Sequence, residues 1–184
     1  EVKAIIVTGA GRAFCAGADL EAGGDTFNAD NREDRPDGLQ PDGGGRVSLR
    51  IHDLNKPIIA AINGPAVGVG ITMTLGMDIR IAADVARIGF VFARRGIVPE
   101  ACSSYFLPRI VGVSQALEWC YSGRVFPAQE ALAGGLVRSL HDKDELLSVA
   151  RGLARELTDE TSAISVTLIR HMMWRMLSAD HPMD

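Results

Sequence analysis

Glycine-rich corners joining short apolar strands to helices predict an α/β fold for this 184-residue chain. Residues 57–62 (Pro-Ile-Ile-Ala-Ala-Ile) form an unbroken apolar run, as a strand buried on both faces does. The stretch Asn63-Gly64-Pro65-Ala66-Val67-Gly68-Val69-Gly70 follows it, and residues 71–77 then read as a buried helix with no breaker before Gly76. Residues 4–8 repeat the pattern: a short apolar strand runs into Gly9-Ala10-Gly11-Arg12-Ala13-Phe14-Cys15-Ala16-Gly17-Ala18-Asp19-Leu20.

In chain order, residues 21–50 are rich in glycine, proline and charge, and their composition marks a loop. It directly follows the first corner, so it reads either as a mobile lid or as a surface insertion. A short helix is expected from Arg46 to Leu54. After the second corner come two short strands, residues 79–83 and 86–92, separated by Asp84. A helix over 101–110 follows, with Gly112 ending it and Ser114 capping its successor over 115–121. Pro127 suits the first position of a helix over 127–133 that Gly134-Gly135 ends. Residues 136–140 form the last strand candidate.

Asp142 and Glu145 have the spacing of a capping box. The helix they open places Leu146, Leu147, Ala150, Leu153, Ala154 and Leu157 on one face. Ser162 opens another helix, with Val166, Ile169, Met173 and Leu177 in a stripe that reads as a packing or subunit surface. We divide the chain into a core over residues 1–140 and a helical region over 141–184.

Bulk properties bound the function. A 47% hydrophobic content suits one domain with a sizeable core. No apolar run has the length of a membrane span and no secretory signal is apparent. The formal charge of −4 argues against nucleic acid as the partner. Cys15, Cys102 and Cys120 are unclustered, which suggests neither a disulfide framework nor a zinc site and points to a reducing cytoplasm. His52, His141, His171 and His181 have no triad-like or metal-like spacing. Gly9-Ala10-Gly11 begins a dinucleotide fingerprint, but Phe14 stands where its third glycine belongs.

Both corners are places to hold an oxyanion or a phosphate. Glycines admit a close backbone approach, and the first amides of a helix lack partners within it. Two such amides aimed at one point are what an enolate oxygen needs.

Together, Phe14-Cys15-Ala16-Gly17-Ala18-Asp19-Leu20 and the Asn63 to Gly70 stretch resemble the crotonase superfamily, also called the enoyl-CoA hydratase/isomerase family. The similarity runs from Val2 to about Leu140, and it selects a crotonase-like stacked ββα spiral with carboxy-terminal helices among α/β folds. Relative to the family, the segment before the first corner and the last helices look incomplete. The resemblance implies an acyl-CoA thioester substrate, no metal or redox cofactor (coenzyme A belonging to the substrate), and a homotrimer or homohexamer.

Carried over residue by residue, the family's oxyanion amides fall on Ala18 and Val69. A valine there keeps the N–H and adds a side chain that narrows the acyl channel. Ala16, Asp19, Leu20, Gly68, Thr72 and Phe92 complete the implied substrate-binding set, with Asp19 better suited to ordering a helix start than to chemistry. Hydratases of the family handle water with two glutamates, and the matching positions here are Thr72 and Phe92. Glu100, in Val98-Pro99-Glu100-Ala101-Cys102-Ser103-Ser104, resembles the proton-shuttling glutamate in the Pro-Glu-Gly-Cys-Ser-Ser motif of Δ3,Δ2-enoyl-CoA isomerases. Its other reading is an acidic first-turn residue complementing a helix dipole. An apolar wall of Phe90 and Phe92 would raise its pKa. Arg94 and Arg95 read as phosphate contacts or as a salt-bridged surface pair. The resemblance thus implies isomerisation of 3-enoyl-CoA to 2-enoyl-CoA, with hydration of 2-enoyl-CoA or non-catalytic acyl-CoA binding as alternatives.

Overall fold

The computed structural model describes residues 2–19, 42–181 and 183. The chain order is β1 (Ile5–Thr8), α1 (Gly43–His52), β2 (Ile58–Ile62), β3 (Ala66–Val67) and α2 (Val69–Thr72), then β4 (Ile79–Ala83) and β5 (Arg87–Gly89). There follow α3 (Ser103–Val111), α4 (Val113–Ser122), β6 (Val125–Pro127), α5 (Ala128–Ala133), β7 (Leu140–His141), α6 (Leu146–Thr158) and α7 (Ala163–Met176). Strands β1, β2, β4 and β7 form a parallel sheet in that spatial order, with Ile5 beside Ile58, Ile59 beside Ile79 and Ala82 beside Leu140. A second sheet runs β3-β5-β6, its first pair parallel and its second antiparallel.

The unbroken apolar run of β2 is explained by burial on both faces. Alternate side chains of a strand point to opposite sides. Ile58, Ala60 and Ile62 accordingly join the main core with Ile71, Leu75 and Phe106, while Ile59 and Ala61 meet Ile81, Leu146, Ala150 and Leu153. Helix α6 thereby covers one face of the large sheet. Each fully buried isoleucine of β2 contributes about 1.5–3 kcal/mol relative to exposure. An aromatic stack fills the small-sheet side, with Trp119 lying 4.6 Å from Phe126 and 6.0 Å from Phe90 between ring centroids. Among the described residues, no helix is long and apolar enough to cross a membrane.

Several elements differ from the sequence expectation. The glycine run of residues 43–45 is helical: α1 starts at Gly43 because Asp42 caps it, taking the Gly45 N–H on its carboxylate. The helix expected over 71–77 is instead α2 followed by a 3-10 turn, Met73–Gly76, in which the Thr74 hydroxyl bonds the Ile71 carbonyl. The strand expected over 86–92 stops at Gly89, and Phe92 begins the 3-10 turn Ala93–Arg95.

Later in the chain, helix α3 begins only at Ser103, after Ala101 and Cys102 in left-handed conformation. Gly112 occupies the cap of α4, so Ser114 lies inside that helix. Pro127 ends β6 and caps α5 from outside. Of the last strand expected over 136–140, only Leu140 lies in β7, which ends at His141. The capping box fails because the Asp142 carboxylate takes the Asp144 N–H, at 2.8 Å, two residues away. Ser162 does cap α7, accepting the Ser165 N–H. Beyond it, Ile169, Met173 and Leu177 are exposed.

Arg170 fastens α7 to the core. It is buried, and its guanidinium donates to the carbonyls of Ile51, His52 and Leu54, at and just beyond the end of α1. Its Nε lies 3.0 Å from the Asp78 carboxylate, which also accepts the Ile58 N–H at 2.8 Å and the Trp174 indole N–H at 3.1 Å. Removing one partner of a buried pair leaves the other uncompensated. Arg170→Leu should therefore lower unfolding free energy by roughly 3–5 kcal/mol, measured by urea denaturation. An unchanged midpoint would show that α7 is held by its apolar contacts alone.

Candidate active site

The two glycine corners meet. The Pro65 carbonyl accepts the N–H groups of both Phe14 and Cys15 at 3.0 Å, and the Cys15 carbonyl accepts the Val67 N–H at 3.0 Å. This short bridge sets the corner after β1 alongside β3, leaving no room for side chains between. A Cβ on Gly70 would lie 2.1 Å from the Cys15 carbonyl oxygen, and one on Gly64 would lie 2.2 Å from that of Arg12. Gly68 has φ 56°, a left-handed value that lets α2 start abruptly. Asn63 braces the junction, accepting the Gly9 N–H at 2.9 Å and donating to the Gly11 carbonyl at 3.1 Å.

A cavity of about 590 Å³ opens at this junction. Ala16, Gly17 and Ala18 line it from the first corner, Val67, Gly68 and Val69 from the second. Val91, Phe92 and Arg95, then Ile97 to Glu100, and finally Asp42, Gly43 and Gly44 complete the wall. Among the described residues, the N–H groups of Ala18 and Val69 have no acceptor. Val69 is the first residue of α2, where an intrahelical acceptor does not exist.

Glu100 is a half-buried carboxylate of this wall, as is Asp42. Burial raises its pKa above the ordinary glutamate value, and the neighbouring Asp42 carboxylate raises it further. The Thr72 hydroxyl opposes the rise; in its own bonding it donates to the Gly68 carbonyl at 3.2 Å. Cys102 is likewise pushed up by burial and by Asp42, so it is a poor nucleophile. Glu100 is not a first-turn helix residue, since two left-handed residues separate it from α3. Its carbonyl accepts the Ser103 N–H at 2.9 Å.

The sequence-derived set is therefore largely brought together, with exceptions. Ala16, Ala18, Gly68, Val69, Phe92 and Glu100 line one cavity. Thr72 is fully buried beneath it and does not reach the surface of the wall. Asp19 is exposed and outside the lining, while Leu20 and the expected lid up to residue 41 lie outside the described residues. Phe90 is not part of the wall: it stacks with Trp119 and Phe126 in the core. Arg94 spends its Nε on the Ser122 carbonyl, and Arg95 alone of the pair lines the cavity. Sequence reasoning missed Asp42, Gly43 and Gly44. The signal was present, because an aspartate directly before a helical run is a cap, but the three glycines that follow suggested a loop. Among the described residues, no three His, Cys, Asp or Glu side chains gather as a metal site requires.

A mixed α/β fold of two sheets, with a cavity at two glycine corners, narrows the class, and comparison with known proteins settles the family. The family model described as enoyl-CoA hydratase/isomerase matches residues 1–181, and the chain belongs to that family. It is 44% identical to an enoyl-CoA hydratase of Alternaria alternata over 96% of this chain and 58% of that protein. A 1,2-epoxyphenylacetyl-CoA isomerase of Escherichia coli is 34% identical over 86% of this chain and 60% of its own length. The chain thus spans about three-fifths of the curated relatives it matches. Among solved structures, a probable enoyl-CoA hydratase/isomerase from Mycobacterium abscessus superposes with a TM-score of 0.86 at 32% identity, covering 97% of this chain and 67% of that one. A monofunctional enoyl-CoA isomerase from M. smegmatis gives 0.78 at 31% identity, covering 98% and 74%. The fold is the crotonase fold.

Two stability measurements check this geometry. Gly70→Ala forces a methyl into the Cys15 carbonyl and should cost at least about 1–3 kcal/mol. Gly152→Ala, inside α6 with open space at the Cβ position, should gain about 0.5–1 kcal/mol. Equal effects would mean the corners are not tightly apposed.

A further measurement concerns pH. A raised Glu100 pKa means that the folded chain holds its proton to higher pH than the unfolded chain does. Stability is therefore lost as pH rises from the unfolded glutamate value through the raised folded value. Glu100→Gln should raise the melting temperature at neutral pH and leave it unchanged below the ordinary carboxylate range. A gain that is independent of pH would contradict the raised pKa.

Proposed function

We propose that the chain carries the catalytic part of an acyl-CoA enzyme that moves a double bond, converting 3-enoyl-CoA to 2-enoyl-CoA. One observation carries this reading: Glu100, a carboxylate whose pKa burial raises, shares a cavity with Ala18 and Val69, whose amides have no acceptor among the described residues. Ionised Glu100 takes a proton from C2. The C–H electron pair passes into an enolate whose oxygen rests on the two amides. As the thioester carbonyl reforms, the electron pair returns to make the C2–C3 bond double. The C3–C4 π pair then takes the proton that Glu100 delivers at C4. No water or second acid enters, which suits a site where Thr72 and Phe92 occupy the positions of the hydratase glutamates. Neither metal nor redox cofactor has a part, and coenzyme A enters with the substrate. Arg95, exposed at the rim, is the cation we assign to a CoA phosphate.

Hydration of 2-enoyl-CoA is the second reading. It is favoured by the 44% identity to a protein named as a hydratase and by Asp42, which gives the cavity a second carboxylate. Offering 3-enoyl-CoA and 2-enoyl-CoA to the intact protein separates the two. Migration without hydration supports the isomerase, hydration supports the alternative, and binding without either reaction leaves an acyl-CoA-binding module. For the isomerase, Glu100→Gln should reduce turnover roughly 10²–10⁴-fold while acyl-CoA affinity stays close to that of the parent. Unimpaired turnover would remove Glu100 from the mechanism.

A further inference from the structure

Asp42 stands at the start of α1, far in sequence from Glu100, yet the two side chains meet at the cavity wall. The Cβ position of Gly44 marks their convergence: an atom there would lie 2.7 Å from Glu100 Oε2, 3.0 Å from Asp42 Oδ1 and 3.1 Å from the Ala101 methyl. Asp42 Oδ1 accepts two backbone donors from different segments. One is the Gly45 N–H in the first turn of its own helix, the other the Ala101 N–H at 3.3 Å. A single carboxylate oxygen thus ties the helix start to the residue directly after Glu100.

That residue needs holding. Ala101 and Cys102 have φ of 57° and 56°, two successive non-glycine residues in the left-handed region. Such a conformation is unfavourable for L-residues and persists where surrounding bonds over-determine it. Here Asp42 fixes one side, and the Ser103 N–H on the Glu100 carbonyl fixes the other. The turn directs the Glu100 side chain toward α1, and the glycine at 44 leaves it room.

We infer that Asp42 is the positioning residue for Glu100, clamping the turn that carries it and placing a second carboxylate beside it at the cavity wall. The inference rests on Glu100 being the proton carrier of the reaction. Among the described residues, the groups that act on Glu100 are Asp42, the cap of α1, and Thr72 from α2, while Arg95 from the turn after Phe92 lines the same cavity and Cys102 lies two residues on. Of these, Asp42 is the nearby anion and adds to the rise in the Glu100 pKa, while Thr72 opposes it.

The test separates charge from capping. Asparagine caps a helix about as well as aspartate and keeps a carbonyl oxygen for the Ala101 N–H, so Asp42→Asn removes the charge and little else. Asp42→Ser is a second uncharged cap in case the first variant is unstable. In protein labelled with ¹³C at the glutamate carboxyls, the Glu100 signal is identified by its loss in Glu100→Gln. Its titration midpoint should move to lower pH in both Asp42 variants while the melting temperature stays near the parent's. The acidic limb of the pH–rate profile for double-bond migration should move the same way, because the base ionises earlier. Asp42→Ala, which releases the turn as well, should lower kcat roughly 10²-fold through misplacement of the carboxyl, with KM little changed. An unmoved Glu100 midpoint in Asp42→Asn and Asp42→Ser overturns the inference. A midpoint that moves without the pH–rate profile supports the coupling and instead removes Glu100 as the base.

Discussion

The carbonyl of Pro65 receives two N–H groups, those of Phe14 and Cys15, and much of the architecture depends on that contact. It joins the segment after the first strand of the large sheet to the first strand of the small one. Parallel strands cannot be linked by a hairpin, so β1 and β2 are far apart in sequence and their corners must be registered by tertiary bonds. The Asn63 side chain and the Cys15 carbonyl supply the remaining ties. The cavity opens at this junction, lined by residues 16–18 of one backbone and 67–69 of the other.

Physical reasons decide which parts of this were legible in the letters. Strand β2 was, because burial on both faces demands an unbroken apolar run. The corners were too, since glycines at 64, 68 and 70 have few other uses. Helix α1 was misjudged at its start: Gly43, Gly44 and Gly45 have poor helix propensity, and the close approach of Glu100 and Ala101 explains the glycine at 44 alone. The left-handed pair Ala101-Cys102 was invisible, because nothing in an alanine announces positive φ. Phe90 and Phe92 looked alike in sequence, yet the chain leaves the sheet after Gly89 and sends one into the aromatic stack, the other to the cavity wall.

Glu100 illustrates how environment and sequence divide the work. Its neighbours in the chain suggest a helix start, which would favour the ionised form through the dipole. Two left-handed residues separate it from that helix and turn it toward another carboxylate. The proton affinity of the group thus follows from the backbone path between Glu100 and Ser103, more than from the residue types alone.

The two tryptophans give the molecule a pair of optical reporters placed in different parts of the architecture. Trp119 is fully buried against Phe90 and Phe126, its indole N–H on Glu130 at 2.7 Å. Trp174 rides on α7 with its N–H on Asp78 and its ring edge-on to His52 and Phe106 at 5.5 and 5.4 Å. Emission from the first belongs to the small sheet, and emission from the second to the seat of the last helix. With one indole replaced by phenylalanine at a time, light from the other follows its own region, so loosening of α7 and melting of the sheets have separate colours.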